Sequence, residues 1–445
     1  MKFLLSLVSG ALLAPAVWAA QAPATLDQDL AYKLVESLTV EVGPRIAGSE
    51  ADRRAVKWAV SNLQKLGYDK VWTEEFDMPG WTRGQASLEV LSPFPQPLVL
   101  TSLGGSIGTP TAGITASVVM FDSIETLEKA DSAKVKGKIV FINKAMAKDK
   151  SGSFYGQVVA ARARGAVEAA KLGAVALVIR SVGTSNNRFA HTGTMKYDDA
   201  VTKIPAVAIS VPDAQNLEKM LARSSEVSLK LKMENQLQTA KSHNVIAEIT
   251  GTEKPDEMVL ISGHLDSWDQ GTGAIDDGAG VALAMATGAL IKQKGQPKRT
   301  IRVVLYGNEE GGLWGARAYA AKHNDELKNH VLAAESDFGA GKIWQLESRF
   351  GEKSLPFAKE LQQKMAHLDI ALGGNETHGG PDVSVLAAAG VPVVALSQDG
   401  TDYFDYHHTP NDTLDKIDPA AYKQNLQAWL IMTETVANSS VNLRN

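Results

Sequence analysis

The sequence predicts an α/β protein: a mostly parallel, twisted sheet flanked by helices and interrupted by an inserted second unit. Three observations predict it. Apolar runs of strand length alternate with Ala-, Leu- and Lys-rich stretches of helical spacing. The stretch from about Pro110 to Thr239 has a different texture, with short strands and an Ala-rich helix of its own. The length, 445 residues with 44% hydrophobic and 21% charged side chains, suits two or three packed units.

Taken in order, the basic start Met1-Lys2, the apolar run Phe3 to Leu13 and the small residues up to Ala19-Ala20 read as a signal peptide over residues 1–20. The run falls short of the about 20 residues a spanning helix needs and breaks at Pro15. The mature chain is expected to be secreted or periplasmic, with no later segment long and apolar enough to cross a bilayer. Residues 21–109 form the first part of the main unit. There, Ala55, Val56, Trp58, Ala59, Leu63 and Leu66 share helical spacing over Asp52 to Leu66, stopped by Gly67, and Lys70 to Phe76 is a strand.

The insert, 110–239, has strands at Gly137 to Ile142, Ala174 to Ile179 and Ile204 to Ile209, with a helix at Ala160 to Leu172. It shows no acid, base or metal constellation, so a lid or specificity unit is expected. Residues 240–445 return to the main unit. Buried strands fall at Met258 to Ser262, Ile301 to Tyr306, Val331 to Ala334 and Val391 to Leu396, with helices at Gly280 to Ile291, Leu313 to Lys322 and Pro356 to Met365.

Composition narrows the chemistry. A net charge of -5 with scattered Lys and Arg gives no footprint for nucleic acid. With no cysteine there is no thiol nucleophile, thiolate ligand or disulfide, so any metal is held by His, Asp and Glu. Gly104-Gly105-Ser106-Ile107-Gly108 matches the Gly-x-Ser-x-Gly string. Thr109-Pro110 follows where a nucleophile elbow needs a helix, however, so it reads as a glycine-rich loop.

The acids and histidines gather instead at strand ends. One strand closes in Gly263-His264-Leu265-Asp266, and Asp276-Asp277-Gly278 opens the next helix. Another closes in Asn308-Glu309-Glu310, a third in Glu335-Ser336-Asp337, and Tyr406-His407-His408 lies downstream. Loops at the carboxyl ends of such strands converge on one crevice. That many carboxylates need cations, and imidazole with carboxylate suits zinc, two ions bridged by one carboxylate. Asp266 is expected to accept the second N–H of His264, and Asp277 to cap the helix. Trp268 reads as packing.

These motifs, with Ser267-Trp268-Asp269, Gly273-Ala274-Ile275 and Asp412-Thr413, resemble the two-zinc exopeptidases, a family of secreted aminopeptidases and carboxypeptidases. The carboxypeptidase members are the nearer. His191-Thr192-Gly193 and Ile204-Pro205-Ala206 extend the likeness into the insert, which the resemblance makes a protease-associated-like lid. It implies two Zn2+ per chain: Asp276 bridging, His264 and Asp337 at one ion, Glu310 and His408 at the other. Glu309 is then the general base. Where many relatives carry Tyr, this chain has His407, so either His407 or Tyr406 stabilises the oxyanion. His378 and Asp382, in a glycine-rich loop, are substrate-pocket candidates. The implied activity is hydrolysis of short peptides, dipeptides with free termini in particular, the alternative being an aminopeptidase. Peptides are the expected partners, with neither nucleic acid nor membrane, and the insert or a second copy in a homodimer closes the pocket.

Overall fold

The computed structural model describes residues 26–445, and the signal peptide expected over 1–20 lies outside them. The main sheet has eight strands in the order Lys70–Thr82, Gln236–Ile249, Arg299–Tyr306, Lys254–His264, His330–Glu335, Val393–Gln398, Ile343–Arg349 and Ala371–Leu372. Its centre is parallel. Lys254–His264 runs alongside Arg299–Tyr306 and His330–Glu335, which in turn runs alongside Val393–Gln398. The neighbours on either side of this block are antiparallel. The four apolar runs of the second half are these four parallel strands, and cover on both faces is why they are continuously apolar; all of Arg299–Tyr306 is buried.

Helix Ala279–Lys294 lies behind the central strands, packed against Leu30–Glu41 and Pro419–Asn438. It is buried on every side from Ala279 to Ile291. With the turn before it, the segment Ala274–Lys294 is long and apolar enough to cross a membrane, at mean hydropathy 1.4, which corrects the expectation that no later segment is. A core helix meets apolar neighbours all round, so its composition matches that of a membrane span.

A second eight-stranded sheet follows the order Gln96–Leu98, Ala86–Ser92, Ser228–Met233, Ile114–Phe121, Ile139–Ile142, Ala176–Arg180, Ala206–Ile209 and Leu100–Ser102. All of it lies between Thr82 and Gln236. Those two residues are opposite one another at the end of a long antiparallel ladder that begins at Lys70 opposite Glu248. The second unit is thus carried at the tip of a hairpin whose base belongs to the main sheet. The boundaries expected at Pro110 and Thr239 are corrected to the ends of this ladder, because Ala86–Ser92 pairs with Ser228–Met233. Composition does not say which sheet an early strand joins; pairing does.

The strand that ends in His264 and the helix that follows Asp276 meet at two glycines. A Cβ on Gly263 would lie 2.5 Å from the Asp277 carboxylate, and one on Gly280 would lie 1.9 Å from the Ser336 carbonyl oxygen. Backbone cannot yield to that extent without moving the site. Gly280→Ala is therefore expected to lower stability by about 1–3 kcal/mol, read as a lower midpoint in chemical denaturation.

Candidate functional site

Adjacent parallel strands bring their carboxyl ends to one crevice, and the acids and histidines meet there. His264 ends Lys254–His264, Glu309 and Glu310 follow Arg299–Tyr306, and Asp337 follows His330–Glu335. His264 Nε2 is 3.1 Å from Asp276 Oδ1 and 3.5 Å from Asp337 Oδ1. On the other side, His408 Nε2 is 3.2 Å from Asp276 Oδ2 and 3.0 Å from Glu310 Oε2. Asp276 thus turns one oxygen to each cluster. His407 stacks on His408 with ring centroids 3.5 Å apart, its Nε2 3.6 Å from Asp276 Oδ2. Two sets have donor atoms close enough to share an ion: His264, Asp276 and Asp337; and Asp276, His407 and His408. Glu309 and Glu310 line the same cavity of about 500 Å³.

The electrostatics follow from burying like charges together. Burial pushes the Glu310 and Asp337 carboxyls up, with Asp276 adding to the rise and His408 and His264 opposing it. Burial also raises Glu309 well above the usual carboxylate range; the charges of Asp337, Glu310 and Asp266 add to the rise while His264 opposes it. Against burial, Glu310 and Asp276 lift His408 to about 9. His407 goes the other way, held well below the usual imidazole value by burial and by His408. Asp276 Oδ2 and Glu310 Oε1 are buried and accept no hydrogen bond. Carboxylate oxygens left without a donor beside converging imidazole nitrogens are the ligand chemistry of a divalent cation, and with no thiolate present they fit zinc.

Several residues hold this geometry. Asn308 and His408 adopt left-handed backbone, with φ of 58° and 61°, where the chain turns sharply into the crevice. Asp277 accepts from the Gly280 amide and from the His264 amide, so the helix cap also pins the strand end. Asp266 faces His264 Nδ1 with two groups, its backbone oxygen at 3.0 Å and its carboxylate Oδ1 at 3.6 Å, and the same carboxylate accepts from the Glu309 amide at 3.0 Å. Its side chain therefore aims Glu309 as well as facing the imidazole. Trp268 does more than pack, since its Nε1 donates to Glu310 Oε2 at 2.5 Å. Gly104 leaves room for that indole, as a Cβ there would lie 1.9 Å from the ring.

Arg45, invisible to motif reading, is fully buried and donates to the carbonyls of Gly43, Leu265, Thr272 and Gly273. Asp412 accepts from the Ala274 and Ile275 amides just before Asp276. The second unit contributes as well. His191 Nδ1 pairs with the His407 carbonyl at 2.8 Å, and the Thr192 amide donates to the His408 carbonyl at 3.0 Å. Only the pairing of distant segments shows these roles.

Three substrate-pocket expectations are corrected. His378 is exposed, with Nδ1 3.2 Å from the Arg349 guanidinium, and does not line the cavity. Asp382 is sealed in the interior, where burial and the charges of Glu335 and Glu309 push its carboxyl well up. Tyr406 lines a separate cavity, with the Lys416 ammonium over its ring. The tyrosines that share a cavity wall with the acids are Tyr155 and Tyr403. Ser106, in the glycine-rich loop, accepts from the Ala206 amide and serves the second sheet.

The chain matches the family model for peptidase family M28 over residues 244–433. It is 37% identical to carboxypeptidase Q of Homo sapiens over 414 residues, covering 92% of this chain and 86% of that protein. Among solved structures it is similar to a peptidase M28 precursor from Shewanella amazonensis, with a TM-score of 0.92 and 52% identity over 94% of this chain and 95% of that one. The fold is also that of a zinc aminopeptidase from Bacillus subtilis, with a TM-score of 0.69 and 21% identity over 95% and 98% of the two chains.

Arg45→Met would leave buried carbonyls in the loop around Leu265 and Thr272 without donors. At about 1–3 kcal/mol for each unsatisfied group, the variant is expected to lose more than about 3 kcal/mol of stability. Hydrogen exchange should show the amides of residues 265–273 losing protection first.

Proposed function

The chain belongs to peptidase family M28, and on that premise we propose that it is a zinc-dependent exopeptidase cleaving short peptides with free termini, dipeptides above all, after export from the cytoplasm. Carboxypeptidase Q is the model for that specificity, given the identity along nearly the whole chain. The observation that carries the reading is Asp276, whose two oxygens face separate histidine and carboxylate clusters at 3.1 and 3.2 Å. On this reading, Asp276 would serve two zinc ions, one held also by His264 and Asp337, the other by Glu310 and His408. Glu310 is steadied by the Trp268 indole.

Zinc, when bound, supplies Lewis acidity and makes water nucleophilic near neutral pH. The chain's own residues do the rest. Glu309, held by the Asp266 carboxylate through its backbone amide, takes a proton from the attacking water and delivers it to the leaving amine. The water oxygen bonds to the carbonyl carbon and the C–N bond breaks. Its raised affinity for a proton suits Glu309 to both halves of the transfer. Burial and the neighbouring His408 hold His407 well below the usual imidazole value, which favours its neutral form, so it can donate a hydrogen bond to the oxygen that gains charge without repelling the cations. Export rests on the basic start and apolar run at Phe3 to Leu13.

A panel of free dipeptides, amino-terminally blocked dipeptides and aminoacyl anilides tests the specificity. Preference for free dipeptides is expected; anilide cleavage without that preference makes the enzyme an aminopeptidase instead. Elemental analysis should find two zinc equivalents per chain, and chelation should abolish activity. Full activity after exhaustive chelation removes the metal mechanism. Glu309→Gln is expected to lower kcat about 10²–10⁴-fold with zinc content unchanged.

A further inference from the structure

Beside the exposed Lys196, the second unit places in the cavity wall one buried cation that no carboxylate among the described residues balances. Arg162, on helix Val159–Lys171, is only 6% exposed and lines the same cavity as Glu309, Asp337 and His408. The other buried arginines are provided for: Arg299 and Arg302 each meet a glutamate, at 2.6 and 2.5 Å, and Arg45 is surrounded by carbonyls. Arg162 forms no ion pair among the described residues. Its Nη2 donates to the Tyr155 hydroxyl at 2.5 Å. Its Nη1 is 3.4 Å from His408 Nδ1, a nitrogen that also lies 3.3 Å from the Thr192 carbonyl. If that nitrogen carries the proton toward Thr192, it offers Nη1 nothing to donate to. Nε is buried with no partner at all.

The arrangement depends on a close backbone approach. A Cβ on Gly193 would lie 2.4 Å from Arg162 Nη1, and Gly193 has φ of 132°, so only glycine seats the guanidinium there. A buried charge without a counter-ion is costly, and a guanidinium fork matches a planar carboxylate with two parallel donors. The reading of the site as a dipeptidase or carboxypeptidase supplies such a group, the free carboxylate of the substrate. That group lies about one residue, about 3.5 Å, beyond the scissile carbonyl, within reach of the same cavity. An amino terminus would instead need an unpaired acceptor at this place.

We propose that Arg162 binds the free α-carboxylate of the peptide's C-terminal residue and thereby sets the exopeptidase specificity. This rests on the reading given under Proposed function. The test compares kcat/KM for a dipeptide and for its C-terminal amide in the zinc-loaded wild type, Arg162→Gln and Arg162→Lys. Wild type should prefer the free acid. Arg162→Gln should raise KM for the acid about 10–100-fold and bring the acid-to-amide ratio towards one, with the amide still cleaved.

A merely structural role would slow both substrates alike, and an unchanged ratio in Arg162→Gln overturns the proposal while leaving the specificity reading intact. A wild type indifferent to the free carboxylate overturns both. If Arg162→Gln does not fold, Arg162→Lys decides. It keeps the charge but loses the fork, so its ratio should fall, and a ratio equal to wild type overturns the proposal.

Discussion

Asp276 sits at the centre of the molecule's chemistry because it faces two ways. A single buried carboxylate within 3.2 Å of imidazoles from two different clusters can exist only if its neighbours are held rigidly around it and if positive charge balances the cluster. Much of the surrounding structure serves that requirement. The helix cap by Asp277, the acceptance of the Ala274 and Ile275 amides by Asp412, and the clamp of Arg45 on the loop before Asp276 all fix backbone within a few residues of it. The glycines at 263 and 280 allow the strand and the helix to approach closely enough for those bonds to form.

The second sheet is more than a cover. It hangs from the long hairpin Lys70–Thr82 and Gln236–Ile249, and its loop around His191 and Thr192 is bonded to the backbone of His407 and His408. The Arg83 side chain, just beyond the hairpin, bridges Asp269 of the main unit and Thr192 of the second. The histidine pair is therefore held from both units, and the cavity has walls from both. A chain built this way couples the position of the His407 and His408 imidazoles to the unit that lines the cavity beside them.

Legibility in the sequence varied with how local each signal is. The parallel strands are continuous apolar runs, and the acids directly after them could be assigned to one crevice because strand direction alone sends those ends together. The insert was recognisable by texture, yet its start was not, since Ala86–Ser92 alternates like any strand and only its partner Ser228–Met233 shows which sheet it joins. For Tyr406, nearness in sequence is not nearness in space, and for His378 a glycine-rich loop is no guide to direction, since this loop turns the imidazole to Arg349. Tyr406 precedes His407 directly but lines a different cavity, whereas Tyr403, three positions earlier, faces the acids.

By itself the sequence determined the class of chemistry: carboxylates and imidazoles at strand ends, without thiols, leave a divalent cation as the partner that neutralises them. It also determined the α/β order, because burial on both faces writes itself as apolar runs. Only the tertiary structure decided which groups support those ligands, among them Arg45, Trp268, His191 and Arg162. Each acts across a large gap in the chain, such as the 220 residues between Arg45 and Leu265. A hydrogen bond between distant segments leaves no periodicity or spacing in either one, so it exists as information only once the backbone has brought the two together.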